Sequence, residues 1–129
     1  PRRAMAERSP QAFGTGDAAA LAGMLPSDAG MWADGGGKAA AARRPLLGRG
    51  AIVSFLVGIH RIGEASGMIR DASLVIEDVN SEPALILRVG ARLESIFVLS
   101  VEDDAITGIR VVRNPDKLVR IDRSLTTVH

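Results

Sequence analysis

Few residues in this chain have types and spacing suited to chemistry, and most of them stand at turns. Asp34-Gly35-Gly36-Gly37-Lys38 places a carboxylate and an ammonium at the two ends of three glycines. Glycine adopts positive φ without steric cost and lets another surface come close to the backbone. Successive N–H groups in such a run form a nest for an anion, and the plain alternative is a loose hairpin turn. It is not a phosphate-binding P-loop, because the first glycine of that pattern, six residues before the lysine, and the Ser/Thr after it are missing. Asp34 and Asp71 are the carboxylates to weigh as a general base in an apolar pocket. Neither comes with a partner acid, and the chain has no Tyr to donate to an oxyanion. His60 falls on a helix and His129 ends the chain, so no metal site and no cofactor are expected. Asp78, Glu82, Glu102, Asp103 and Asp104 cluster at turns and read as solvated loops. The absence of Cys excludes disulfides, thiolate ligands and a cysteine nucleophile.

A second segment, Ala105 to Leu118, reads AITGIRVVRNPDKL. Ile106, Ile109, Val111 and Val112 make a buried strand, which Pro115 ends because proline cannot donate to a sheet ladder. Asn114-Pro115-Asp116 is then a turn in which Asn114 and Asp116 bond to nearby backbone. The stretch around it is basic, with Arg110, Arg113, Lys117, Arg120 and Arg123 against Asp116 and Asp122. It reads as a solvated face, the alternative being contact with an acidic partner.

Three helices, a short strand and a meander must hold these segments. Residues 3–14 are helical in composition, with Pro10 as a kink or as the first residue of a new helix capped by Ser9. Asp17 caps a helix over 17–25 in which Leu21, Met24 and Leu25 share a face. Gly30 to Ala33 is a short strand carrying the one Trp, Trp32, and Ala39–Arg43 is an edge-strand candidate. The spacing predicts a helix over 48–62 with Ile52, Phe55, Leu56, Ile59 and Ile62 on one stripe. After Gly67 the period becomes two, giving strands over 67–79, 83–90, 92–102 and 105–113. Their short connections make an antiparallel meander. Both strand faces are apolar, so helices must cover one face, and the other lines a cavity or meets a partner. The expected core is Leu21, Leu25, Trp32, Ile52, Phe55, Leu56, Ile59, Leu74, Ile76, Leu85, Leu87, Phe97, Leu99 and Val111. A mostly apolar pocket is expected between helix 48–62 and the concave face of the sheet. The fold class is α+β, a curved sheet wrapped around helices.

The 129 residues make one domain, and 47% hydrophobic content is enough for a core. Only 3% are aromatic, which argues against a stacking platform for single-stranded nucleic acid. A net charge of +1 carries no global signature of a nucleic-acid binder. No apolar run is long enough to span a membrane, and no signal peptide is visible. A chain that opens at Pro1 rather than Met is expected to be a piece of a longer one.

The two segments together resemble the SnoaL-like C-terminal domain of a group of extracytoplasmic-function (ECF) sigma factors of the sigma-70 family. Asp34-Gly35-Gly36-Gly37-Lys38, followed by Ala41-Ala42-Arg43 and Pro45, resembles that family's DGGGK segment. Val79-Asn80 with Pro83-Ala84 resembles its first hairpin, and Ile109 through Leu118 is similar to its closing NPDKL segment. The likeness runs from about Gly16 to about Leu118, and the two motifs in this order are more specific than either alone. Departures are Asn80-Ser81 in place of Asn-Gly, and Pro10 inside a helix that is normally continuous. The resemblance implies an NTF2-like (SnoaL-like) cone, a strongly curved, mostly antiparallel sheet packed around N-terminal helices, as one domain over residues 1–129.

It also implies a non-catalytic, cytoplasmic regulatory domain that modulates promoter binding and transcription initiation by contact with the sigma core of its own chain. RNA polymerase would be a further partner, and promoter DNA only through the sigma regions that this chain lacks. The contact role would fall to Asp34, Gly35, Gly36, Gly37 and Lys38 and to Asn114, Pro115, Asp116, Lys117 and Leu118. Two alternatives share the fold: a pocket enzyme of the polyketide cyclase or ketosteroid isomerase type, and a sensor holding an unidentified small molecule. A homodimer of the isolated domain is a further alternative.

Overall fold

The computed structural model describes residues 2–34 and 45–112. Helix α1 spans Arg2–Thr15 and α2 Ala18–Met24. Strand β1 (Gly30–Asp34) follows, then β2 (Leu46–Leu47) and helix α3 (Arg49–Ser66). The chain ends, as described, in β3 (Ala72–Val79), β4 (Glu82–Val89), β5 (Arg92–Glu102) and β6 (Ala105–Val112).

Local chemistry accounts for most of these boundaries. The Asp17 carboxylate accepts from the N–H groups of Ala19 and Ala20 at 3.0 and 3.3 Å, satisfying two donors that the first turn of α2 leaves free. Asp17→Ala is expected to lower stability by about 1 kcal/mol, read by denaturant unfolding. Pro10 lies inside α1, which the structure gives as one helix rather than two. An internal proline forfeits a backbone hydrogen bond. Burial of Ser9 and Ala12 on either side holds the helix in place regardless. Gly67, in the left-handed region at φ 80°, ends α3 four residues beyond the expected stop at 62. The sequence reading began a strand at 67. Met68–Asp71 instead form a 3-10 turn, and β3 starts at Ala72.

The sheet has six strands in the order β2-β1-β6-β5-β4-β3. The last four form the expected antiparallel meander. Asn80-Ser81 and Asp103-Asp104 turn two of its hairpins, all four residues having positive φ, as tight two-residue hairpin loops require. Register shifts at Leu87/Arg88 and at Ser100/Val101 mark bulges, which bend a sheet and strengthen its twist. β1 joins β6 in parallel, and β2, which the sequence reading did not foresee, pairs antiparallel with β1. The edge strand expected over Ala39–Arg43 lies outside the described residues.

Leu21, Met24 and Leu25 of the helical N-terminal region and Ile52 and Leu56 of α3 pack with Leu85, Phe97, Leu99, Ile109 and Val111 on one face of the sheet. Leu74, Ile76 and Leu87 are partly buried against this core. Ala84, Ile86, Ile96, Val98 and Val112 form a second apolar cluster on the opposite face, with no helix residue in it among the described residues.

Three expected core residues are not in the core. Trp32, Phe55 and Ile59 are 44%, 44% and 41% exposed. Trp32 alternates with Met31 along β1, and Met31 takes the inner face. On α3 the buried edge is Ile52 and Leu56, with Val53 and Val57 partly buried beside them. Phe55, Ile59 and Ile62 are left on the other edge of an apolar stripe too wide for the sheet to cover.

Candidate functional site

Asp34 is the last residue of β1, and in the parallel register it pairs with Val112, the last residue of β6. The pairing follows from the side chains beneath it. Met31, Ile109 and Val111 enter the inner core, and Val112 enters the outer cluster. Both strands run in the same direction and end together. Asp34 and Val112 therefore stand on neighbouring strands, whose spacing is about 4.8 Å. Gly35, Gly36, Gly37 and Lys38, and Asn114, Pro115, Asp116, Lys117 and Leu118, lie outside the described residues. Only their points of departure are given, and these are adjacent.

Trp32 stands two residues before this exit. Its ring lies over two glycines on the outer face. A Cβ added at Gly30 would come within 2.6 Å of Cη2 of the ring, and one added at Gly108 within 3.0 Å of Cζ3. Glycine at both positions is what lets the indole lie flat against the sheet. Gly30→Ala is expected to push the ring off this floor at a cost of roughly 1 kcal/mol, small because the ring is already half exposed. Trp32 is the one Trp in the chain, so its emission should shift to longer wavelength as the check. Arg110 pairs with Trp32 across the β1–β6 ladder, and its Nη2 donates to Glu82 Oε1 at 2.6 Å over the outer face. Both side chains are about half exposed, so the ion pair orients Arg110 more than it stabilises the domain.

Acid–base chemistry finds little support among the described residues. Asp71 is exposed in the 3-10 turn, where its carbonyl accepts from Gly90 N–H at 2.9 Å. Asp34 is placed at the strand end by its backbone alone. A cavity of about 330 Å³ lies between α1 and α2, lined by Arg8, Gln11, Thr15, Asp17 and Met24 among others. Its Asp17 carboxylate is occupied by the cap of α2, and Thr15 Oγ1 donates to the Gln11 carbonyl at 2.9 Å. This is not where the sequence reading put a pocket. Between α3 and the sheet, Ile52 and Leu56 belong to one packed cluster with Leu85, Phe97 and Leu99. One pairing escaped the sequence reading: His60 Nδ1 lies 3.5 Å from Glu64 Oε1. The signal was the spacing of four residues on a helix. His60 also packs on Gly16, where a Cβ would meet its ring at 2.6 Å, so its role is to seat α3 on the α1–α2 turn. Among the described residues no group of three or more His, Cys, Asp or Glu could hold a metal ion, and no helix is long and apolar enough to cross a membrane.

Comparison with known proteins bears on the fold. No family model matches the sequence, and no curated protein matches it. Among solved structures the chain is similar to the extracytoplasmic function sigma factor SigJ of Mycobacterium tuberculosis, with a TM-score of 0.69 and 24% identity. The similarity covers 92% of this chain and 44% of SigJ, so the chain spans less than half the length of that protein. It is also similar to an NTF2-like protein of unknown function from Mesorhizobium loti, with a TM-score of 0.60, 13% identity and coverage of 88% and 90% of the two chains. A de novo designed protein with a curved β-sheet matches with a TM-score of 0.59, 12% identity and coverage of 95% and 94%. The fold is thus NTF2-like, an α+β domain with a curved, open sheet.

Proposed function

We propose that this chain is the non-catalytic regulatory domain of an ECF-type sigma factor. It contacts the sigma core of its own polypeptide and modulates promoter binding and transcription initiation by RNA polymerase in the cytoplasm. Promoter DNA is read by other regions of that polypeptide. The observation that carries this reading is the parallel pairing of Asp34 with Val112. The two segments that resemble sigma-factor motifs are far apart in sequence, yet the strands that precede them end side by side. A single partner can engage both, and turns at a sheet end can reach a neighbouring domain while the core stays fixed. The fold shared with SigJ is consistent with the same reading.

Asp34, Lys38, Asp116 and Lys117 supply polar pairs that set orientation more than affinity. A contact of this kind within one chain is modest in area and reversible, as a regulator requires. The test is in vitro transcription by the full-length protein carrying Lys38→Ala and Asp116→Ala together. Altered output at an unchanged melting temperature supports the role. Unchanged output from a stable double variant overturns it.

A further inference from the structure

We infer that residues 113–129 fold back over the outer face of the sheet, so that this apolar face is filled by the chain's own next segment and is closed to any other partner. The inference stands apart from the regulatory reading above.

The register lays out the outer face in rows. Val75, Ile86, Ile96, Val112 and Asp34 pair in turn across β3, β4, β5, β6 and β1, and Glu77, Ala84, Val98, Arg110 and Trp32 form the next row. The two sides of the face are open, with Val75 48% and Trp32 44% exposed. Between them Ile86, Ile96 and Val112 are 1%, 0% and 5% exposed, and Ala84 and Val98 0% and 5%. A sheet face that meets water keeps part of each side chain in contact with it, and such faces are polar. Isoleucines as fully buried as Ile86 and Ile96 lie under a cover. The Arg110–Glu82 ion pair runs from β6 to β4, over β5, and accounts for part of the second row. Among the described residues no helix residue belongs to the cluster.

The burial is that of a single chain, so the cover belongs to the chain itself. Two stretches beyond β1 are available. Residues 35–44 consist of glycine, alanine, Lys38, Arg43 and Arg44, with no large apolar side chain. Residues 113–129 carry Leu118, Val119, Ile121, Leu125 and Val128, and they follow directly on Val112, itself a member of the buried cluster. Leu118, Ile121, Leu125 and Val128 recur at three, four and three residues, the spacing of one helical stripe. A helix is about 10–12 Å across, which matches three strands at a spacing of about 4.8 Å. The buried cluster spans three strands, β4, β5 and β6. Pro115, which cannot extend the ladder of β6, stands where the chain must turn to reach this face. Charge agrees with the same occupant. Lys117, Arg120 and Arg123 outnumber Asp116 and Asp122 in the segment, and Glu77 and Glu82 share the outer face with Ala84.

The test is maleimide labelling of single cysteines in this chain, whose own sequence contains none. Ile96→Cys reports on the outer face, and Leu99→Cys, buried in the inner core, is the reference. Each is placed in the 129-residue chain and in a chain ending at Leu118, and unfolded protein sets the intrinsic rates. The expected result is that Ile96→Cys reacts at least tenfold faster in the shorter chain, while Leu99→Cys stays equally slow in both. Equal rates for Ile96→Cys in the two chains overturn the inference. Protection of Ile96→Cys in the longer chain that is lost on dilution also overturns it, in favour of a second copy. If shortening exposes Leu99→Cys as well, the domain has opened as a whole, and Ile121→Ser with Leu125→Ser in the longer chain takes its place. Selective exposure of Ile96→Cys in that variant supports the cover, and unchanged protection overturns it. These rates do not involve the sigma core, so either result leaves the regulatory reading to its own transcription test.

Discussion

Phe97→Ala is expected to lower the stability of the domain by about 3–5 kcal/mol, the range for removing a buried aromatic side chain. Phe97 is 7% exposed and lies in the inner core, between the strands and the helices. Its ring meets Phe13 of α1 at a centroid distance of 6.1 Å in a tilted arrangement, so truncation also removes an aromatic contact between α1 and the middle of the sheet. For a domain of this size the loss corresponds to a fall in melting temperature of roughly 10–20 °C. Phe97→Leu, which keeps most of the volume, should cost less than half as much. Calorimetry or denaturant unfolding of both variants checks the result. A loss below about 1 kcal/mol for the alanine would mean that α1 is not docked on β5 as described.

Transcription should respond most strongly to Lys38→Ala with Asp116→Ala in the full-length protein. Coupling between two sites of a regulated protein is typically 1–3 kcal/mol, a factor of about 5–150. Removing a charge from each of the two segments should abolish most of that coupling, and transcript yield should change by a factor within that range. The single substitutions should give smaller changes that do not simply add if, as proposed, the segments that follow the paired strands β1 and β6 share one partner. The melting temperature of the domain should stay within a degree or two if these segments are the turns that the sequence reading expects, since substitutions at surface positions are usually within ±0.5 kcal/mol. A fall in melting temperature matching the fall in activity would identify these segments as structural turns.

The meander and its hairpins were legible in the sequence because their signals are local. Asn80-Ser81 and Asp103-Asp104 sit between runs of alternating apolar residues, and positive φ at such pairs is a matter of turn chemistry. The parallel place of β1 beside β6 was not, because nothing within five residues says which distant strand they join. Period was enough to find α3, but not to choose its buried edge. Val53 and Val57 turn toward the core where the sequence reading had Phe55 and Ile59. An apolar stripe wider than the contact it makes looks the same in sequence whether its excess faces the core or a partner. Trp32 was misread for a related reason. A large aromatic is ordinarily expected inside, and only the two glycines beneath its ring mark the position as an outer-face shelf. Of the candidate site, the identity of the two segments came from resemblance, and the sheet register adds that the strands preceding them, β1 and β6, end side by side at Asp34 and Val112.

The measurement that tests the regulatory contact most directly is an amide chemical-shift map. The isotope-labelled domain is titrated with the unlabelled sigma core of the same protein. The predicted result is a set of perturbations confined to the end of β1 at Trp32–Asp34, the end of β6 at Arg110–Val112 and the two segments that follow them, all weakened by Lys38→Ala/Asp116→Ala. Perturbations gathered instead in the α1–α2 groove around Gln11 and Asp17, or none at saturating sigma core, would contradict it.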